Sequence, residues 1–125
     1  MAADAYLKTA AGQLQQGANT LKREASHIRG EAANQRKRIE NELTAKQAAV
    51  KAEELRAQSI SDDRAVHGVH LNIQRLQGDV NELKQQLDQT TTQAEQAAQA
   101  KESAMQSLSG QAQSLQQMSA DPRLK

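Results

Sequence analysis

From Val66 onward, apolar residues return along this chain at alternating steps of three and four. Val66, Ile73, Val80, Leu87, Ala94, Lys101, Leu108 and Leu115 mark one line, and Val69, Leu76, Leu83, Thr90, Ala97, Ala104, Gln111 and Met118 mark the other. Residues so spaced share one face of an α-helix, so the pattern predicts a long helix of the coiled-coil kind. The stripe is β-branched and Leu-rich up to Leu87 and thins to Ala, Thr and Lys between 90 and 104, which predicts a firm seam near residue 66 and a softer one beyond Thr90. Lys101 on that line marks either a register device or an exposed stretch of seam.

The first half carries its own repeat. Leu7, Leu14, Leu21 and Ile28 follow at sevens, with Ala11, Ala18, Ala25, Ala32 and then Ile39 running beside them. Alternating large residues with Ala lets two helices approach closely. After Ile39 the phase changes, because Leu43, Val50 and Leu55 leave the earlier spacing while Ile28, Ile39 and Val50 fall at intervals of eleven, a spacing that unwinds a left-handed supercoil. Ala45, Ala48, Ala49, Ala52 and Ala57 widen the apolar surface around Val50, which predicts more than one neighbouring helix.

Between the two repeats lies Ser59-Ile60-Ser61-Asp62-Asp63-Arg64. Ser61 reads as an N-cap, Asp62 and Asp63 suit the first turn of a helix, and Ile60 with Ala65 could staple its start. No Gly or Pro interrupts the chain from Arg56 to Val66, so one unbroken helix is the competing reading. An antiparallel register in which paired residue numbers add to 122 sets Leu14 against Leu108, Leu7 against Leu115 and Ile39 against Leu83, and it centres a turn on Ser61. The fold expected is therefore all-α: a long two-helix antiparallel coiled-coil hairpin that dimerises into a four-helix bundle, with one continuous rod-like coiled coil as the alternative. The expected layout is a single unit with helix 1 over 3–59, a turn over 60–63, helix 2 over 64–119 and a disordered tail over 120–125, where Pro122 disfavours helix at Asp121.

Composition fits this picture. The 125 residues include one aromatic side chain, Tyr6, and no Phe, Trp or Cys, so the large groups that fill a globular core are missing. Ala, Gln, Leu, Lys, Arg and Glu dominate, and these lose little side-chain freedom in a helix. A net charge of +1 gives no global field toward nucleic acid, membrane or an acidic partner. No run approaches the length of a membrane span and no secretory leader is evident, so a soluble, cytoplasmic protein is expected, with export by a signal-less route left open.

Local chemistry is sparse. His67 and His70, with Asp63 four residues earlier, could share a helix side as metal ligands, but flanking polar residues beside a seam account for them as well, and no metal or cofactor is expected. Residues 22–38 carry Lys22, Arg23, Arg29, Arg36, Lys37 and Arg38 against Glu24 and Glu31, a local excess that suits a phosphate backbone or, equally, acids on a neighbouring helix. With no aromatic platform for bases, a nucleic-acid partner is the lesser reading. Gln89 to Gln117 is a Gln-, Ala- and Ser-biased arm. No nucleophile sits beside a base in any motif and no Gly-rich loop follows a strand, so no enzyme and no small-molecule substrate are expected. The size and two-helix layout resemble small secreted hairpins of the Trp-x-Gly type, yet Val66-His67-Gly68 stands near the turn and the chain has no Trp, so no family follows.

The function read from the sequence is a structural or adaptor coiled coil whose partners are itself, as a homodimer, and other helical proteins. The alternatives are a basic helical module that binds nucleic acid non-specifically and an exported helical effector. The self-association seam would comprise Leu7, Leu14, Leu21, Ile28, Ile39, Leu43, Val50, Leu55, Val66, Val69, Ile73, Leu76, Val80, Leu83, Leu87, Leu108 and Leu115.

Overall fold

The structure, a computed structural model, describes residues 2–120. It is an all-α helical hairpin: α1 spans Ala2–Ser59, α2 spans Asp63–Ser119, and the two pack against each other. The continuous rod is thereby set aside. The expected tail lies outside the described residues, apart from Ala120.

Three residues make the connection, and the cap within it is Asp62. Its Oδ1 accepts a hydrogen bond from the Arg64 amide at 3.0 Å, and its carbonyl accepts the first turn's bond from the Val66 amide at 2.9 Å. Ser61, expected in that role, stands one residue too early to reach these amides. Asp63 then occupies the first turn, where the helix dipole favours a carboxylate. At the end of α1 the Ser59 hydroxyl donates to the Arg56 carbonyl at 3.0 Å, and no described residue has positive φ, so the helix stops without a left-handed cap. Ile60 is half-buried and Ala65 exposed, and with Asp62 as the cap the staple positions fall on Ser61 and Val66 rather than on Ile60 and Ala65.

The helices pair within two compact units, residues 1–31 with 94–125 and residues 32–93. In the first, the buried side chains are Ala11, Ala18, Ala25, Ala98, Ala112 and, less completely, Ser119. A methyl group at each buried layer leaves little between the backbones, so the helices come close. Leu7, Leu14, Leu21, Ile28, Leu108 and Leu115 flank these layers half-buried. At Gly17 a side chain of α2 fills the space: a methyl group there would lie 3.1 Å from the Leu108 Cδ1.

In the second unit the buried residues are Val69, Leu76, Val80 and Leu83, all on α2. α1 faces them with half-buried Ile39, Leu43, Ala49, Val50 and Ala57, and with two charged residues, Lys46 and Glu53. Lys46 Nζ reaches Asp79 Oδ2 at 3.3 Å. Glu53 is nearly covered, with Oε1 3.8 Å from Arg56 and Oε2 shut from water without a partner. Val66, Ile73 and Leu87 are half-buried. Leu55, expected in the seam, is 66% exposed. Glu53 and Ala57 hold the inward positions on either side of it, and two residues from Glu53 is about 200° around the helix, the opposite face.

Burial also corrects the phase of α2. Val69, Leu76, Leu83 and Thr90 face inward as expected, but Ala97, Ala104, Gln111 and Met118 are exposed, and Ala98, Met105, Ala112 and Ser119 take their place. Leu87, Thr90, Ala94 and Ala98 thus follow a three-four-four step, which tracks the 3.6-residue period of an α-helix more closely than strict heptads do. In α1 the line through Ala11, Ala18, Ala25 and Ala32 continues in step to Ile39, Lys46 and Glu53, while its companion line moves by one residue between Ile28 and Leu43, with Gln35 and Arg36 both exposed.

Candidate interaction surfaces

The basic run is the first candidate. In the unit formed by 1–31 and 94–125, Arg29 is tied down by α2: its Nη2 donates to Glu95 Oε1 at 3.0 Å, its Nε to Glu95 Oε2 at 3.4 Å, and its Nη1 pairs with Glu102. Hydrogen bonding from Arg29, then its charge, holds the Glu95 carboxyl below the usual glutamate range, and the bonds to Glu95 and Glu102 raise Arg29 in turn. Lys101, the anomalous seam lysine, is half-buried and pairs with Glu24 of α1 at 2.8 Å. Lys22 and Arg23 remain exposed with no ion pair among the described residues. In the other unit Lys37 and Arg38 are likewise exposed and unpaired, while Arg36 stands 4.0 Å from Glu40. Arg38 borders an open cleft of about 330 Å³ whose other polar walls are glutamines and Thr90.

His67 and His70 are both exposed, and His27 lies on α1 at 3.1 Å from Glu31. Among the described residues no three His, Cys, Asp or Glu side chains gather as a metal site would require. Among the described residues no helix is long and apolar enough to cross a membrane.

The third candidate is the face of α1 turned away from the seam. Ala45, Ala48, Ala52 and Leu55 follow at steps of three, four and three, and all four are exposed. α1 is therefore apolar on two sides here, as the alanine-rich stretch led us to expect. On the seam side, Lys51 and Glu54, with Val50, Val80 and Lys84, line an open cleft of about 660 Å³. Neither Lys51 nor Glu54 makes an ion pair among the described residues. Sequence reading missed these two, together with the Lys46–Asp79 pair; opposite charges spaced to meet across an antiparallel seam were the available signal.

No family model matches the chain, and no curated protein or solved structure does either.

Proposed function

We propose that this chain is a non-enzymatic structural or adaptor protein that acts by helix-on-helix association, first with a second copy of itself and then with other helical proteins. One observation carries the reading. No Leu, Ile or Val of α1 is buried within the single chain: Leu7, Leu14, Leu21, Ile28, Ile39, Leu43 and Val50 stay half-exposed, and Leu55 is 66% exposed. Covering a fully exposed side chain of this size is worth about 1.5–3 kcal/mol; the seven half-buried ones would each gain a fraction of that and Leu55 more, so a second hairpin completing a four-helix bundle gains from their sum. Sedimentation equilibrium over a concentration series tests this. A dimer that tightens with salt-insensitive affinity supports the reading, and a monomer throughout removes it.

Lys22, Arg23, Lys37 and Arg38, exposed and unpaired, favour non-specific nucleic-acid binding as a second reading. Phosphate contacts weaken steeply with salt, whereas apolar seams do not. A gel-shift titration with generic duplex DNA at two salt levels separates the two readings, and absence of any shift at micromolar protein eliminates the second.

A further inference from the structure

Resting on the self-association reading, we infer that two copies pack through one side of the unit formed by residues 32–93, about a two-fold axis parallel to the helices, so that α1 of each lies beside α2 of the other. The side is marked by the open cleft that Val50 of α1 and Val80 of α2 line together. Residues seven apart share a line on a coiled-coil helix, so Leu43 and Ala57 lie with Val50, and Val66, Ile73 and Leu87 lie with Val80. Val80 is buried and the others are half-buried, which leaves a continuous apolar strip along this side. Asn72 and Gln86, one residue before Ile73 and Leu87, are turned about 100° toward the other side. That side is more polar: Gln86 shares a cleft there with Gln35, Arg38 and Gln89, and Asn72 shares another with Arg56 and Arg75. The strip includes Leu43 and Val50, two of the α1 side chains left incompletely covered within one chain.

The rims of the strip identify its occupant. Three residues before each apolar position stand Glu40, Gln47 and Glu54 on α1, and His70, Gln77 and Lys84 on α2, all exposed. Within one chain the helices meet in this unit at residue numbers that add to 125, as Lys46 and Asp79 do. A two-fold axis parallel to the helices carries each α2 beside the other α1 without changing its level, so the same sum governs contacts between copies. Glu40 then faces Lys84 of the other copy, Gln47 faces Gln77 and Glu54 faces His70, each pair adding to 124 and each occurring twice. No like charges meet on these rims. A two-fold axis running across the helices, centred on Gln47 and Gln77, would instead set Glu40 against Glu54 of the other copy. The groups are free to pair: Lys84, Glu54 and His70 make no ion pair among the described residues, and Glu40 has only the 4.0 Å contact with Arg36. An unrelated helix pair would have to supply this order of charges, whereas a second copy already carries it. The contact leaves the seam between α1 and α2 of each chain intact and completes a four-helix bundle in which neighbouring helices are antiparallel.

Crosslinking tests the axis, because the chain has no cysteine of its own. Gln47→Cys mixed with Gln77→Cys should give a covalent heterodimer with a short bismaleimide, and neither variant alone should crosslink. With the axis across the helices, each variant alone would crosslink instead. Charge exchange tests the rims: Glu40→Lys and Lys84→Glu should each weaken the homodimer about tenfold, since each sets like charges together twice. Mixed in equal amounts, these two variants should form a heterodimer preferentially, and the double variant should recover the original affinity. Circular dichroism checks that each variant stays helical. A dimer whose cysteine mixture fails to crosslink, or that ignores the charge exchange, overturns this arrangement but leaves self-association standing. A monomer at every concentration up to about 100 micromolar overturns both.

Discussion

Gly17 of α1 sits beneath Leu108 of α2, where an added methyl group would come within 3.1 Å of the leucine Cδ1. The other five glycines, all helical, have nothing within 4 Å of such a methyl. Glycine in a helix interior costs about 0.5–1 kcal/mol relative to alanine. Gly12→Ala and Gly30→Ala should therefore each stabilise the fold by roughly that amount. At Gly17 the same gain is offset by displacement of Leu108, so Gly17→Ala should be close to neutral. Urea unfolding at one fixed protein concentration measures all three, and an equal gain at Gly17 would show that the contact is slack.

The connection gives a sharper test of local chemistry. Asp62→Ala removes the side chain that accepts from the Arg64 amide and should cost about 1 kcal/mol, whereas Ser61→Ala should change little. If Ser61→Ala proved the costlier change, the cap would belong to the serine after all.

Much of the hairpin was legible in the sequence because its causes are local. The heptads ending at Thr90 and the alanine spacing through Ala32 act one helix at a time, and the capping residues act within a few positions. What escaped notice depends on both helices together. Ala97 and Ala98 have the same side chain, so composition could not say which faces inward, and only the packing of α1 selects Ala98. The register sum of 122 treated side chains as perpendicular to their helices. Each tilts toward its own N-terminus, so contacts between antiparallel helices fall at a higher sum. Gly17 with Leu108 and Glu24 with Lys101 add to 125 in one unit, as do Lys46 and Asp79 in the other. Leu55 stands outside the contact between α1 and α2 for a simpler reason: Glu53 and Ala57 hold the inward positions on either side of it.

The Arg29 fork predicts a pH dependence of definite sign. Glu95 titrates lower in the folded chain than in the unfolded one, chiefly because Arg29 hydrogen-bonds its charged form. Its contribution is then complete above the unfolded value and is lost as pH falls through the lowered folded value. The pair is exposed, so the effect should be small. Carboxyl-carbon NMR should show Glu95 titrating below the usual glutamate range, and Arg29→Ala should move it back up. A Glu95 that titrates with the rest in the unmodified protein would mean that the fork is not maintained in solution.

The corrected phase of α2 yields the most discriminating pair of substitutions. Ala98 is fully enclosed while Ala97, its neighbour, faces water. Both lie in mid-helix, and leucine has nearly alanine's helix propensity, so local preference cannot separate Ala97→Leu from Ala98→Leu. Packing does. Three extra carbon atoms have no room in a layer built from methyl groups, and overpacking of this kind costs about 1–3 kcal/mol. At the exposed position the same change should stay within about 0.5 kcal/mol. Under a strict heptad the order would reverse, with Ala97→Leu the damaging change. Thermal unfolding of the two variants at matched concentration decides between the phases, and Met105→Lys against Ala104→Lys supplies an independent pair one heptad further on, where the charged side chain should be tolerated only at Ala104.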